Sequence, residues 1–458
     1  MTHSRRPWLL MFGLLFIVFH KCTWIGWQWL METAGREHGV LGTRDYLSGF
    51  VTASDRAVDL WVTEMFTDTD QQVKNRLAQN LEYGLFSAGG SLDIEGSYIS
   101  QVGLGGWLTT LLPTLLRVKG NFGYFLIFSQ VAALNAAIVS FVADAVRRKF
   151  GVFTALVMLF AAVQPWFVAL NGSPRFLIGL RLVPAIWLAS RYLSGRFDVG
   201  RTIVIVTGLS MLGFLSGYDY ATITTPLILA TVVCTAIVNG WDVRKLIARS
   251  WPPLLASLMA LPITLFLHLV QLSIRFGGVS AAWSEINYRL AKRSGLVSDA
   301  VEHPLLREAL ASSPDKVLDW YLAVPVYLAP AKVWLISRFS VAVLIGICAV
   351  ILLQSLVRQS DSVHDRWVRG VAIGWFVSLL GPLGWFLLAR PAAYIHTHTD
   401  GVIWFFPTIP LGTMLIALSV TRDGQLRRLR TQPILVVIPL IVVALLIMYA
   451  VSALRSSA

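Results

Sequence analysis

Long apolar runs recur along the whole sequence, and they constrain the fold more than any other feature. A helix needs about 20 mainly apolar residues to cross a membrane. Only 14% of the residues are charged, whereas soluble domains have about a quarter. The sequence therefore predicts an all-α polytopic membrane protein with about 11 transmembrane helices and excludes a soluble enzyme. The predicted spans lie at about 8–30, 121–146, 151–170, 174–193, 201–216, 221–239, 254–274, 333–357, 371–389, 401–420 and 433–453.

Basic residues are distributed unevenly between the two sides of these runs. The only Lys or Arg residues in the short turns near 171–175, 217–220 and 390–400 are Arg175 and Arg390. Because Lys and Arg accumulate in cytoplasmic loops, we predict that the N-terminus is cytoplasmic. The segments on that side then carry Arg5, Arg6, Arg147, Arg148, Lys149, Arg191, Arg196, Arg201, Arg244, Lys245, Arg249, Arg358, Arg366, Arg369, Arg422, Arg427, Arg428 and Arg430.

Two long segments then face the outside, a first outer segment at 31–120 and a second outer segment at 275–332. Within the first, the apolar run at 98–116 is predicted to lie in the membrane interface, because Pro113 and the Gly105–Gly106 pair disfavour a straight span. Segments of this length in a compact bundle are usually functional. We expect residues 1–458 to form a single transmembrane domain with interfacial helices in both outer segments.

The first outer segment is acidic, with 11 acidic against 7 basic residues. A carboxylate at the membrane surface can deprotonate an acceptor hydroxyl group. Solvated loop residues are the alternative interpretation of these acids. The candidate catalytic bases are Asp68, Asp70, Asp93 and Glu95, and Tyr98 and Gln101 behind them are candidate substrate-binding residues.

Two further polar segments interrupt the apolar runs on the outer side. Asp219 lies between Tyr218 and Tyr220, where an ionisable residue at membrane depth suggests substrate binding. A helix N-cap is the other interpretation of Asp219. The second segment, 390–404, combines a cation with two alternating imidazoles, and these groups suit a phosphate or sugar hydroxyls. Its candidate substrate-binding residues are Arg390, His396, His398 and Asp400.

The alternation of His396, His398 and Asp400 also raises the question of a metal. No H-E-x-x-H signature is present, so we assign no metal ligand and no firm cofactor, and leave a divalent cation open.

A set of five basic residues lies near the outer interface, where the distribution of charge disfavours them. Their role is either to neutralise a lipid phosphate or to reach lipid headgroups by snorkelling. They are Arg175, Arg181, Arg275, Lys332 and Arg338, of which Arg338 is the best phosphate candidate.

The order of several short elements carries a resemblance to a known family. The first helix leads to a long outer loop, which contains the element Asn80, Tyr83 and Gly84. The stretch 98–104 comes next. A helix then follows, and it ends in the basic stretch 147–151. In this order the elements resemble the GT-C superfamily of membrane glycosyltransferases. The turn 217–220 and the segment 396–401 look like uncharacterised bacterial relatives associated with surface polysaccharide synthesis.

The resemblance implies an integral glycosyltransferase of the bacterial cytoplasmic (inner) membrane with its active face outside the cytoplasm. An outer-loop Asp or Glu would be the base, and the donor would be a sugar on a polyprenyl monophosphate. The acceptor would be a glycan or a lipid-linked molecule, membrane lipids would be partners, and nucleic acid would not.

Two other functions fit the same pattern of spans and long outer segments. An O-antigen polymerase or ligase would use a donor linked through a diphosphate. A transporter or lipid flippase would show inverted repeats and charges near the membrane midplane, and the sequence shows no repeat.

Overall fold

The computed structural model describes a bundle of helices. The described residues are 6–21, 104–117, 120–164, 177–218, 221–296, 304–324, 326, 339–358, 360, 362–395 and 403–421. They are mostly helical and contain no β-strand. One isolated bridge joins two short extended segments: Val326 N–H donates to the Phe339 carbonyl, and Val341 N–H donates to the Val324 carbonyl. The helices are α1 (Arg6–Lys21), α2 (Leu104–Leu115), α3 (Gly120–Phe150), α4 (Val152–Ala162), α5 (Ile178–Leu193), α6 (Val199–Ser216), α7 (Ala221–Val238), α8 (Val243–Phe276), α9 (Val279–Ser294), α10 (Pro304–Ala311), α11 (Pro314–Ala323), α12 (Val341–Val357), α13 (Val363–Ser378), α14 (Leu380–Leu388), α15 (Arg390–Ile395) and α16 (Thr408–Val420).

The described part of the chain contains five helical stretches that are long and apolar enough to cross a membrane. Large apolar side chains cover their outer surfaces; Phe266, Ile274 and Leu387 are 62%, 80% and 75% exposed. Soluble monomers rarely expose continuous apolar patches beyond a few hundred Å². The chain is therefore an all-α membrane protein, and the total of about 11 spans stays a prediction. The five stretches are Ser129–Phe150, Val199–Ser216, Ala221–Val238, Val243–Ile274 and Val363–Leu388.

Two predicted spans begin earlier in the structure than expected. The span predicted at 254–274 begins at Val243, because the Asp242 carboxylate accepts from Lys245 N–H at 2.7 Å and caps the helix. The span predicted at 371–389 begins at Val363, where Ser362 Oγ accepts from Asp365 N–H at 3.0 Å, and it breaks at Leu379. The basic residues at 244–249 and 366–369 consequently lie on helices rather than in loops. The predicted span at 433–453 lies outside the described residues.

The apolar run predicted to lie in the interface contains a short helix. Helix α2 has 12 residues with Pro113 inside it. Its length is about 18 Å, against about 30 Å for the hydrocarbon core of a bilayer. Helix α2 is thus too short to span a membrane by itself. The second outer segment is also helical over its described residues, because α8 continues to Phe276 and α9, α10 and α11 follow it.

Helix α7 is central in the bundle and contacts α5, α8, α13 and α14. Its contact with α13 and α14 is close because glycines face it. A Cβ on Gly370 would lie 2.9 Å from the Cys234 carbonyl oxygen, and one on Gly374 would lie 3.1 Å from the Ala230 carbonyl oxygen. Small residues at such positions let membrane helices approach each other closely.

This contact predicts a large effect of a single methyl group. We expect Gly370→Ala to lower the free energy of unfolding by about 1–3 kcal/mol, because the new Cβ meets backbone that cannot move independently. Gly346→Ala is the matched control, since no atom lies within 4 Å of a Cβ at that position. Thermal unfolding in detergent measures the change. Equal melting temperatures for the two variants would contradict the close packing of α7 against α13.

The basic segments meet at one end of the bundle, which we call the basic end. Lys149 Nζ lies 5.2 Å from the ring centroid of Trp367. This contact joins the end of α3 to the beginning of α13. The Arg249 guanidinium lies 4.7 Å from the Trp241 ring and 5.4 Å from the Phe197 ring. These two contacts join the α7–α8 turn to the α5–α6 turn. We call the other end, where α5 and α7 begin and α6 ends, the opposite end. The location of the basic end in the cytoplasm stays a prediction.

Candidate functional site

Among the site residues named from the sequence, the structure describes Arg390. It is half-buried and begins helix α15. Of the outer basic residues, the described part of the chain also includes Arg181 on α5 and Arg275 on α8, whereas Arg175 and Lys332 lie outside it. The remaining site residues lie outside the described residues, and their roles stay predictions: Asp68, Asp70, Asp93, Glu95, Tyr98, Gln101, Asp219, Arg338, His396, His398 and Asp400.

Arg181 links two features that the sequence singled out separately. Its side chain is 2% exposed, and its Nη2 donates to the Gly217 carbonyl oxygen at 2.6 Å. A Cβ on Gly213 would lie 3.6 Å from Arg181 Cγ, so α6 packs closely on the stem of this arginine. A buried charge in a membrane bundle is costly, and such residues usually mark functional sites. The structure therefore brings a cation of the outer basic set to the turn that contains Asp219.

Tyr218 in the same turn contacts helix α8. Its ring centroid lies 5.6 Å from that of His268, and its hydroxyl donates to the Thr264 carbonyl oxygen at 3.3 Å. His268 is 3% exposed. The sequence analysis did not name His268, although an imidazole within the apolar run 254–274 is a signal for a functional residue. The buried Arg181 and His268 and the half-buried Tyr218 thus form a polar layer near the opposite end.

The beginning of α5 is fastened at this level by helix α3. Asn135 is fully buried, and its Oδ1 accepts from Gly179 N–H at 2.9 Å. A Cβ on Gly179 would lie 2.5 Å from the same oxygen, so this contact requires glycine. The bond satisfies one N–H group in the first turn of α5, two residues before Arg181. It holds the backbone that carries the buried arginine.

Helix α15 is held by the second outer segment. A Cβ on Gly295 would lie 2.9 Å from Pro391 Cγ, so the end of α9 packs directly on α15. Tyr321 of α11 donates to the Pro382 carbonyl at 2.7 Å and accepts at its own carbonyl from Trp404 Nε1 at 2.9 Å. These bonds tie α11 to the chain on both sides of α15. Within the described part of the chain, no hydrogen bond or ion pair occupies the Arg390 guanidinium.

An apolar cavity of about 210 Å³ lies between α3, α4, α5, α7 and α16. Along α5 it extends from Leu182 to Ala189, which is about 10 Å of helix. Phe405 and Phe406, which follow the segment 396–402 in the sequence, also form part of its wall. Its lining is apolar except for Thr231. The full lining is Val139, Val142, Val146, Met158, Ala162, Leu182, Ala185, Ile186, Ala189, Leu227, Thr231, Phe405, Phe406, Pro407, Pro410, Leu411 and Met414.

This arrangement suits a molecule with an apolar chain and an anionic head. The cavity can take an apolar chain at the depth of the membrane, and Arg181 precedes its first lining residue on α5.

The described residues contain no cluster of three or more His, Cys, Asp or Glu side chains that could hold a metal ion. The question of a divalent cation at 396–400 therefore stays as the sequence left it.

Fold and site together define an all-α membrane protein with a polar layer near one end of its helix bundle and an apolar cavity between five of its helices. Comparison with known proteins adds no relative: no family model matches the chain, and no curated protein or solved structure is significantly similar to it.

Proposed function

We propose that this protein is a membrane glycosyltransferase of the GT-C type. It moves a sugar from a polyprenyl-phosphate donor to a glycan or a lipid-linked acceptor at the opposite end of the bundle. The observation that supports the proposal is the apolar cavity whose first lining residue on α5, Leu182, directly follows the buried Arg181 in the sequence. Arg390 begins helix α15, ahead of the segment 396–402 that leads to Phe405. An apolar chain with a phosphate at its end needs both features.

The donor's polyprenyl chain occupies the cavity. Its apolar walls offer the chain van der Waals contacts, which are the main source of apolar affinity inside a membrane, because the surrounding lipid tails are as apolar as the chain itself. The buried side chains of Phe405 and Phe406 form part of this wall. The head of the lipid then lies at the level where α5 begins.

Arginines bind the phosphate of the donor. A guanidinium donates two parallel hydrogen bonds to phosphate and keeps its charge. Arg390 is half-buried on a helix that α9, α10, α11 and α14 hold in place, which favours a fixed cation over a mobile one. Arg338, His396 and His398 are the further phosphate-binding residues of the proposal.

The reaction itself is a displacement at the anomeric carbon. A carboxylate of the first outer segment, from among Asp68, Asp70, Asp93 and Glu95, takes the proton of the acceptor hydroxyl. The hydroxyl oxygen forms a bond to the anomeric carbon, and the bond from that carbon to the phosphate oxygen breaks. Polyprenyl phosphate leaves with the electron pair, and the fixed cations stabilise its growing charge.

Lipid binding tests the donor class. Protein in nanodiscs is titrated with polyprenyl monophosphate and with polyprenyl diphosphate, and Arg338→Ala serves as the control variant. We expect tighter binding of the monophosphate and its loss in the variant. Preference for the diphosphate would favour the polymerase or ligase instead. Binding of neither lipid would leave transport as the better account.

A further inference from the structure

A second cavity, of about 310 Å³, lies at the basic end, on the other side of the bundle from the proposed donor site. It is formed where α12 ends, α13 begins and α16 ends. Its walls carry polar side chains from all three helices, whereas the first cavity is almost entirely apolar. The lining residues are Ile351, Gln354, Ser355, Arg358, His364, Asp365, Val368, Ser419 and Val420.

The cavity wall on α12 is held from α13. Arg369 Nε donates to the Ser355 carbonyl oxygen at 3.1 Å, and its Nη2 donates to the Arg358 carbonyl oxygen at 2.7 Å. These bonds satisfy carbonyl groups at the C-terminal end of α12, where the helix dipole also favours a cation. The backbone of Arg358 is thereby fixed, while its own guanidinium remains on the exposed wall of the cavity.

The acidic residue of the cavity is engaged in the beginning of α13. Ser362 Oγ donates to Asp365 Oδ2 at 2.7 Å and accepts from Asp365 N–H at 3.0 Å. The Ser362 hydroxyl thus caps the helix and is itself held by the Asp365 carboxylate. The Arg358 guanidinium, the His364 ring and the Gln354 amide are then the groups that can donate to a ligand. Arg366 and Arg369 add positive charge at the same end of α13.

The cavity lies at the boundary between the apolar and the polar surface of the bundle. Val357 and Val363 next to it are 81% and 59% exposed, as expected for side chains in contact with lipid. Arg358 follows immediately on Val357, at the end of a helix whose exposed side chains are apolar except for Gln354. A headgroup phosphate lies at this depth in a bilayer, just outside the hydrocarbon core.

We propose that this cavity binds the phosphate of an anionic ligand, with Arg358 and His364 as donors and Gln354 as an additional donor. A phospholipid headgroup and a free phosphate share this chemistry, and the position of the cavity at the apolar boundary favours the headgroup. The site does not depend on the proposed glycosyltransferase activity, because it lies at the other end of the bundle and shares no lining residue with the first cavity.

Native mass spectrometry of the full chain in detergent, titrated with phosphatidylglycerol, tests the site. We expect Arg358→Ala to weaken binding of the tightest lipid at least about tenfold, since a hydrogen bond to a charged group is lost. His364→Ala is expected to act in the same direction. Arg196→Ala is the matched control, an exposed arginine at the basic end outside the cavity, and is expected to change binding less than about twofold.

Competition with inorganic phosphate distinguishes the two sources of the ligand. If millimolar phosphate leaves the bound lipid in place, the ligand is the headgroup; if it displaces the lipid, the cavity takes free phosphate as well. Equal losses for Arg358→Ala and Arg196→Ala would overturn the proposal, because they would show attraction by surface charge alone. Unchanged binding in both arginine variants would overturn it too, provided that their melting temperatures equal that of the wild type.

Discussion

Arg390→Ala is expected to lower the rate of sugar transfer by about 100-fold, the loss typical of removing one preorganised donor to a developing anion. The guanidinium sits at the beginning of α15, and contacts from α9 and α11 fix that helix rather than the arginine itself. Removing the side chain therefore removes charge from the leaving phosphate without removing the packing of α15. Single-turnover transfer from a labelled lipid-linked donor in nanodiscs measures the loss.

Two variants make the Arg390 result interpretable. Arg390→Lys keeps the charge but not the two parallel hydrogen bonds, so it is expected to restore only part of the rate. Arg307→Ala removes an exposed arginine from α10, which also contacts α15, and is expected to leave the rate within about twofold of the wild type. If Arg307→Ala lowered transfer as much as Arg390→Ala, a general field effect would replace the specific phosphate contact.

Ala185→Trp is expected to weaken binding of a polyprenyl-phosphate lipid by about tenfold. Ala185 is 5% exposed and lines the middle of the apolar cavity, so an indole there takes the volume that the prenyl chain needs. The displaced chain stays in the lipid bilayer, so only its packing contacts with the cavity wall are lost, and a loss of about 1.4 kcal/mol is a factor of ten in affinity. Equilibrium binding of the lipid in nanodiscs measures the change.

Val204→Trp is the matched control for Ala185→Trp. Val204 on α6 is 71% exposed, so the same indole there contacts lipid rather than the cavity, and wild-type affinity is expected. Wild-type affinity of Ala185→Trp would mean that the prenyl chain binds elsewhere. The melting temperatures of both variants show whether the cavity accepts the indole without overpacking.

Much of the helical architecture follows from local chemistry that the sequence displays. The apolar runs predict α5, α6 and α7 to within a few residues, because each is bounded by polar or turn residues such as Asp198 and Gly240. The beginnings of α8 and α13 were predicted too late because basic residues were assigned to loops. Asp242 and Ser362 are N-caps directly before those basic residues, and this signal outweighs the charge.

The candidate site was less accessible to sequence reasoning, for a geometric reason. Arg181 and Gly217 are 36 residues apart, and no local periodicity reports that they share a hydrogen bond. Arg181 and the turn at 216–220 were each recognised as unusual, whereas His268 was overlooked inside an apolar run. The cavity beside Leu182 is formed by five helices, so no single stretch of sequence contains it.

Transfer of a labelled sugar by the purified protein tests the central claim most directly. Protein in nanodiscs is incubated with a panel of polyprenyl-monophosphate sugars and a membrane glycan acceptor extract. We predict labelled product with the wild type, its loss when Asp68, Asp70 and Asp93 become Asn and Glu95 becomes Gln, and its retention in Asp319→Asn, which changes an exposed acid of α11. No product from any monophosphate-linked sugar, together with product from a diphosphate-linked donor, would contradict the account.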